Sequence, residues 1–323
     1  MFGVLISIPI GISFLKNGGS TRFGGVGLMA DQGPIWRANE LMNQHSNLNL
    51  IVRIIHNKRL LYGLSWLQKY ISHFDPSFLF VNGDEVPRSN VPYLGQLYLT
   101  ESVFFMIGVF SILKSKNKRF KHLIFTWLII APIASSLTFQ APSALRSLSL
   151  VIPSSIIVAY GIYKIIDNLK SKKSISITIY LLLIITYTYN IGFFLNSYIN
   201  LYPNLSPTAW QYGFDKVIPL IEKNKHKYDN IYLTDTYDQP YILYLFYSKY
   251  PPQKIQPQIK LSSPDQFGFS TVRQIDNIHF QNIVWDDIPG SSLVISGKEN
   301  LIPTTNETIN FPNGDPAFKI YIK

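Results

Sequence analysis

The chain has 323 residues, of which 47% are hydrophobic and only 15% charged, against about 25% charged in ordinary soluble domains. Its net charge of +10 is not spread as a nucleic-acid footprint would be. Residues 114–122 and 164–173 alone carry a net +8, and residues 196–323 are near neutral, with 11 basic and 12 acidic side chains. The excess therefore flanks apolar runs, as in the cytoplasmic loops of membrane proteins, and nucleic acid is excluded as a partner. There is no cysteine, so thiol nucleophiles and Cys-based zinc sites are excluded as well.

Met1–Leu15 is apolar and uncharged. At about 1.5 Å per residue it falls short of a roughly 30 Å hydrocarbon core. It lacks the basic start of a signal peptide and reads as the second half of a transmembrane helix. Lys16–Pro92 is a long polar and aromatic loop. Within it Ile35–Asn43 and Arg53–Ile71 have helical spacing, the second resting on a protein core or a membrane surface. Four further spans follow: Tyr93–Leu113, Phe120–Phe139, Leu148–Ile166 and Ile175–Leu195. No Asp, Glu, Lys or Arg occurs between Lys121 and Arg146 or between Lys173 and Asp215. Placing the two Lys-rich loops in the cytoplasm puts Lys16–Pro92, Gln140–Arg146 and everything after Asn196 outside. The expected fold class is thus an α-helical membrane protein of about five spans, residues 1–195, in the plasma membrane. A small extracytoplasmic α/β domain, residues 196–323, completes it.

In that domain Thr208–Lys225 has helical spacing, Asp229–Thr234 reads as a strand and Pro240–Tyr250 as a short helix. Ile275–Phe280, Ser292–Ser296 and a hairpin of Glu307–Phe311 with Ala317–Ile322 around Asn313-Gly314 read as further strands of a mixed sheet.

P-loop, GxGxxG, HExxH and GxSxG patterns are all missing. The chemistry-bearing residues gather instead at one expected membrane face. Asp84, Glu85 and Arg88 lie in NGDEVPRSNVP. The acidic pair is either solvated, or Asp84 orients the loop or acts as general base, or the pair binds a divalent metal ion. Arg146 is the only charge of APSALRSL. It either snorkels to the interface or meets an anion such as a lipid phosphate, which its planar fork suits. His56 and Lys58, in HNKR, either cradle phosphate or lie on a solvated helix face. His73 stands between these clusters and caps a turn. Glu101 begins a span, where it either pairs with an arginine such as Arg146 or is solvated.

The stretches HNKRLLYG, YISHFDPSFLFVNGDEVPR, YLGQLYLTE and APSALRSLSLVIP resemble the later half of bacterial multi-spanning glycosyltransferases of the GT-C type. These are related to protein O-mannosyltransferases and the lipid A aminoarabinose transferase. The resemblance covers most of residues 1–260. It implies a donor sugar on a polyprenyl phosphate, a carboxylate general base, and a glycan, lipid or protein acceptor. Cations, sometimes with a metal ion, would stabilise the leaving phosphate. In that family the catalytic Asp sits in the first external loop, and no residue here matches it. The resemblance therefore implies a carboxyl-terminal portion or one half of a split enzyme, with Asp84 the best remaining carboxylate and Arg146 and Arg88 at the lipid-phosphate positions. The competing expectation is a membrane-anchored protein whose external domain binds glycan or a partner. A transporter would carry charges at the bilayer midplane, which these spans lack.

Overall fold

The computed structural model describes residues 24–45, 50–171, 173–265, 269–299 and 301–323, together with Ile8, Pro9 and Ile12. The expected span Met1–Leu15 lies otherwise outside the described residues. The chain divides into two compact units, Met1–Asn200 and Leu201–Lys323. The first is helical and the second holds the sheet.

The helices of the first unit are α1 (Gly33–Asn43), α2 (Leu50–Ile55), α3 (Lys58–Ser72), α4 (Glu101–Leu113), α5 (Lys118–Ile130), α6 (Val151–Leu169) and α7 (Lys173–Asn196). The single helix expected over Arg53–Ile71 is two. Asn57 adopts an extended backbone and accepts from the Arg59 N–H at 2.8 Å, which satisfies an orphan donor and starts α3 afresh.

Among the described residues, two helical stretches are long and apolar enough to cross a membrane: Leu148–Leu169, containing α6, and Ser174–Leu205, which continues α7. The other two expected spans are shorter. Tyr93–Thr100 is loop, not helix: Tyr93 has φ 65°, and the Gln96 and Leu97 N–H groups bond back to the Phe78 and Leu79 carbonyls. The helix starts only at Glu101, and its 13 residues reach about 20 Å. The span expected over Phe120–Phe139 stops at Ile130, because Pro132 brings no N–H to continue the ladder.

A buried cluster of Phe78, Leu79, Ile112, Ile124, Leu128, Leu150 and Ile157 joins the loop after α3 to α4, α5 and α6. Helices α4 and α6 cross at unusually close range. A Cβ on Gly108 would stand 2.0 Å from the Ile157 carbonyl oxygen, and one on Gly161 would stand 2.0 Å from that of Phe104. Only glycine at both places allows this approach, which is the small-residue contact that membrane helices favour.

The second unit contains helices α8 (Phe214–Asn224) and α9 (Pro240–Tyr247). Its strands are β1 (Asn230–Leu233), β2 (Gln274–Ile275), β3 (Ile278–Phe280), β4 (Ser292–Ser296), β5 (Glu307–Asn310) and β6 (Pro316–Ile322). The sheet order is β2-β3-β1-β4-β6-β5. Strands β3, β1 and β4 are parallel, while β2 pairs antiparallel with β3, β6 with β4, and β5 with β6. The helix expected from Thr208 begins only at Phe214. Gln211 (φ 53°) and Gly213 (φ 97°) break the chain first, leaving one 3-10 turn at Thr208–Trp210. The strand expected over Ile275–Phe280 is a tight hairpin, turned at Asp276 with φ 50°.

On α8, Phe214, Val217, Ile218 and Ile221 are fully buried at helical spacing. They pack in one core with Ile231, Leu233, Ile295 and Phe318. Alternate residues Tyr232, Val294 and Tyr321 form a second cluster with Ile283 and Ile288, as the period of two in a strand requires. Each such side chain contributes about 1.5–3 kcal/mol on burial.

Candidate functional site

The first unit gathers its polar loops around His73. That residue follows α3 and is fully buried. Its Nδ1 lies 2.8 Å from the Lys69 carbonyl oxygen. A carbonyl only accepts, so Nδ1 carries the proton. In the neutral ring Nε2 then accepts, taking the Ser135 hydroxyl at 2.8 Å and the Ser143 N–H at 3.4 Å. Burial lowers the His73 pKa below its ordinary 6.5 and favours this neutral form. His73 is thus more than the turn cap expected from sequence, because it joins α3 to the 135–143 segment.

Asp84 makes the second tie. It is 3% exposed. One carboxylate oxygen accepts from the Val86 N–H at 2.8 Å, and the other from the Ala144 N–H at 2.7 Å. The pairing clamps its own loop onto the 141–147 loop. A third tie runs along the backbone: Leu28 N–H bonds to the Leu137 carbonyl and Phe139 N–H to that of Val26, both at 2.8 Å. Lys69 stands beside this pairing, 3.3 Å from Asp31 and over the Phe139 ring.

Arg146 is exposed on the loop so held. Its Nη1 donates to Thr138 Oγ1 at 2.8 Å and to the Gln140 carbonyl at 3.0 Å. Both partners are neutral, so among the described residues no carboxylate offsets this cation. Arg88 lies exposed on the Pro87–Ser89 turn, and Lys58 lies exposed in the first turn of α3. His56 does not join a phosphate cradle with Lys58. Its Nε2 lies 3.0 Å from Nε2 of His45, with the rings stacked.

Glu101 does not meet Arg146 and is half-buried. Its Oε2 accepts from the Tyr98 N–H at 2.9 Å and its Oε1 from the Tyr187 hydroxyl at 2.8 Å. One turn further along α7, Asn190 donates to Thr100 Oγ1 at 2.8 Å. A polar pair on an otherwise apolar helix thereby docks α7 on the start of α4. Beside this junction lies a cleft of about 360 Å³, lined by Asn90, Gln96, Tyr98, Glu101 and Phe194 among others. Its lining includes a carboxylate, two amides and an aromatic ring of α7.

The structure therefore ties His73, Asp84 and Arg146 to one loop, 135–147, and places Glu101 in a cleft. It pairs His56 elsewhere and leaves Lys58 and Arg88 at the surface. Sequence reasoning missed Ser135, Ser143, His45, Tyr187 and Asn190. For the last two a signal existed: hydrogen-bonding side chains at i and i+3 in an apolar run mark a helix contact. No group of three or more His, Asp or Glu side chains is placed to hold a metal ion among the described residues. Comparison with protein-family models, with curated proteins and with solved structures finds no match.

Proposed function

We propose that this chain is an integral membrane glycosyltransferase of the GT-C type that takes its sugar from a polyprenyl phosphate. The observation that carries the reading is the cleft beside Glu101. Its polar groups and its Phe194 ring suit a ligand with a polar head and an apolar tail, and it opens where an apolar helix meets the polar loops. Two further features support it. Helix α7 leaves its most apolar stretch almost wholly uncovered, with only 6% of it buried, as expected of a surface facing lipid. The glycine crossing of α4 with α6 is of the kind found in membrane bundles.

In this reading the short helices α4 and α5 pack beside α6 and α7 to complete the bundle of about five spans. The Lys-rich turns 114–122 and 164–173 face the cytoplasm, and the 73–97 and 135–147 loops and the second unit lie outside. Glu101, the carboxylate lining the cleft, takes the proton from the acceptor hydroxyl. The hydroxyl oxygen attacks the anomeric carbon, and the lipid phosphate leaves with the electron pair of the broken C–O bond. Arg146 and Arg88 supply the cations that receive the phosphate charge. Asp84, sealed between two backbone N–H groups, acts as a positioning residue that holds the loop, not as the base.

The test is transfer of labelled sugar from a polyprenyl-phosphate donor by membranes containing the protein. Glu101→Gln is expected to lower turnover roughly 100-fold or more, and Arg146→Ala to lower it with the membrane level of the protein unchanged. Turnover unaffected by both substitutions would remove the mechanism. A membrane-anchored binding protein is the second reading, favoured by a cleft in the second unit. Ligand binding without any transfer would select it.

A further inference from the structure

In the parallel set β3, β1 and β4, the connection after β1 runs to the β3 side and that after β4 to the β6 side, so the connections diverge between β1 and β4. Beyond the carboxyl ends of such strands lies the usual ligand crevice of open α/β sheets. Here the part of that crevice facing β4 is filled from within. The Glu299 carboxylate accepts from the Thr234 and Thr236 hydroxyls, and its other oxygen takes the Gly297 N–H at 2.7 Å. The same oxygen that meets the threonines lies 3.4 Å from the Ile283 N–H. This knot joins the segments that follow all three parallel strands.

A cleft of about 200 Å³ has walls that include Asp235, Asp238, Asp265, Ser263, Arg273 and Phe269. Its floor is the buried ring of Phe280. Asp235 is held at 2.6 Å by Arg273. Asp238 sits just past β1 with φ 78°, a left-handed backbone that Asp and Asn tolerate. Its carboxylate is exposed and has no hydrogen-bond partner among the described residues. Phe269 remains 39% exposed at the rim. The lining has three carboxylates and one guanidinium, with several hydroxyls and an accessible aromatic face.

We infer that this cleft is a binding site for a neutral or amino sugar. Carboxylates and a guanidinium offer fixed acceptors and donors to neighbouring hydroxyls, and Phe269 offers a face to the apolar side of a pyranose ring. The carboxylate excess repels uronic acids and other anionic sugars. Among the described residues no group of three or more His, Asp or Glu side chains is placed to hold a metal ion. The inference stands on the second unit alone and holds whether or not the first unit transfers a sugar.

The experiment is saturation-transfer NMR on the full chain in lipid nanodiscs, without any lipid-linked donor. The probes are maltotetraose, the tetramer of glucosamine, tetragalacturonate and tetralysine. Maltotetraose and the glucosamine tetramer are expected to bind, and tetragalacturonate is not. Asp238→Asn, which keeps the backbone conformation, is expected to weaken binding about tenfold, the scale of one hydrogen bond to a charged group. Phe269→Ala is expected to weaken it further, with the thermal transition unmoved in both variants. Binding of tetralysine alone would make the cleft a site for basic peptides and overturn the proposal. So would binding of tetragalacturonate, silence of both favoured sugars, or undiminished binding by both variants.

Discussion

Helices α7 and α8 are built from similar apolar residues and solve opposite problems. Helix α8 hides Phe214, Val217, Ile218 and Ile221 and exposes Asp215, Lys216 and Lys223. Helix α7 exposes Leu181, Leu182, Ile184 and Ile185, each by more than half. At about 100° per residue these four cover an arc of about 160° of the helix surface. In water such exposure would forfeit about 1.5–3 kcal/mol for each side chain left unburied. The second unit is therefore organised by water, whereas α7 leaves an apolar face that water would not favour, as the proposed membrane reading requires.

Substitutions can break this contrast from either side. The largest effect is expected from Phe214→Ala, which empties a site packed edge-on against Phe318 at 5.0 Å between ring centroids. It should cost about 3–5 kcal/mol, read as loss of the second unit's thermal transition in detergent. Ile185→Asp comes next. On a water-exposed helix this change would be nearly neutral, within about 0.5 kcal/mol. In the middle of a span it should cost about 3 kcal/mol of insertion, read as loss of the protein from the membrane fraction.

Gly161→Leu addresses the α4–α6 crossing, where even a Cβ meets the Phe104 carbonyl oxygen at 2.0 Å. The overpacking is expected to cost about 1–3 kcal/mol, seen as a lower thermal transition of the first unit alone. The smallest effect concerns His73. Its folded pKa lies below the ordinary 6.5 because burial disfavours the charged ring. The stability it contributes is therefore present above pH 6.5 and is lost as the pH falls below that value toward the folded pKa. Hydrogen exchange at the Val86 and Ala144 amides should accelerate over that window. Ser135→Ala, which deprives the buried Nε2 of the nearer of its two donors, should loosen the same loops by about 1 kcal/mol at neutral pH.

The sequence made the long apolar helices and the amphipathic α8 legible, because uncharged runs and amphipathic spacing are properties of single segments. It also located the parallel and hairpin strands of the second unit to within a few residues. The exact helix starts were less legible. Tyr93–Thr100 is apolar enough to extend α4, yet its amides bond to the Phe78–Leu79 backbone, a long-range choice that no local pattern announces. The same holds for the site. Asp84 and His73 stood out as ionisable residues, but their partners are a backbone amide 60 residues away and a serine 62 residues away. Glu101 was visible as a charge at the start of a span. Its cleft exists only because Tyr187 brings α7 against it.

The membrane reading of the first unit is the central claim, and the absence of cysteine makes it directly measurable. Single Ile185→Cys and Asn313→Cys variants would be exposed to a membrane-impermeant maleimide in intact cells, then again after detergent. The account predicts that Asn313→Cys reacts at once from outside, and that Ile185→Cys reacts only when detergent removes the lipid. Equal and immediate labelling of both would mean that α7 faces water, and would contradict the account.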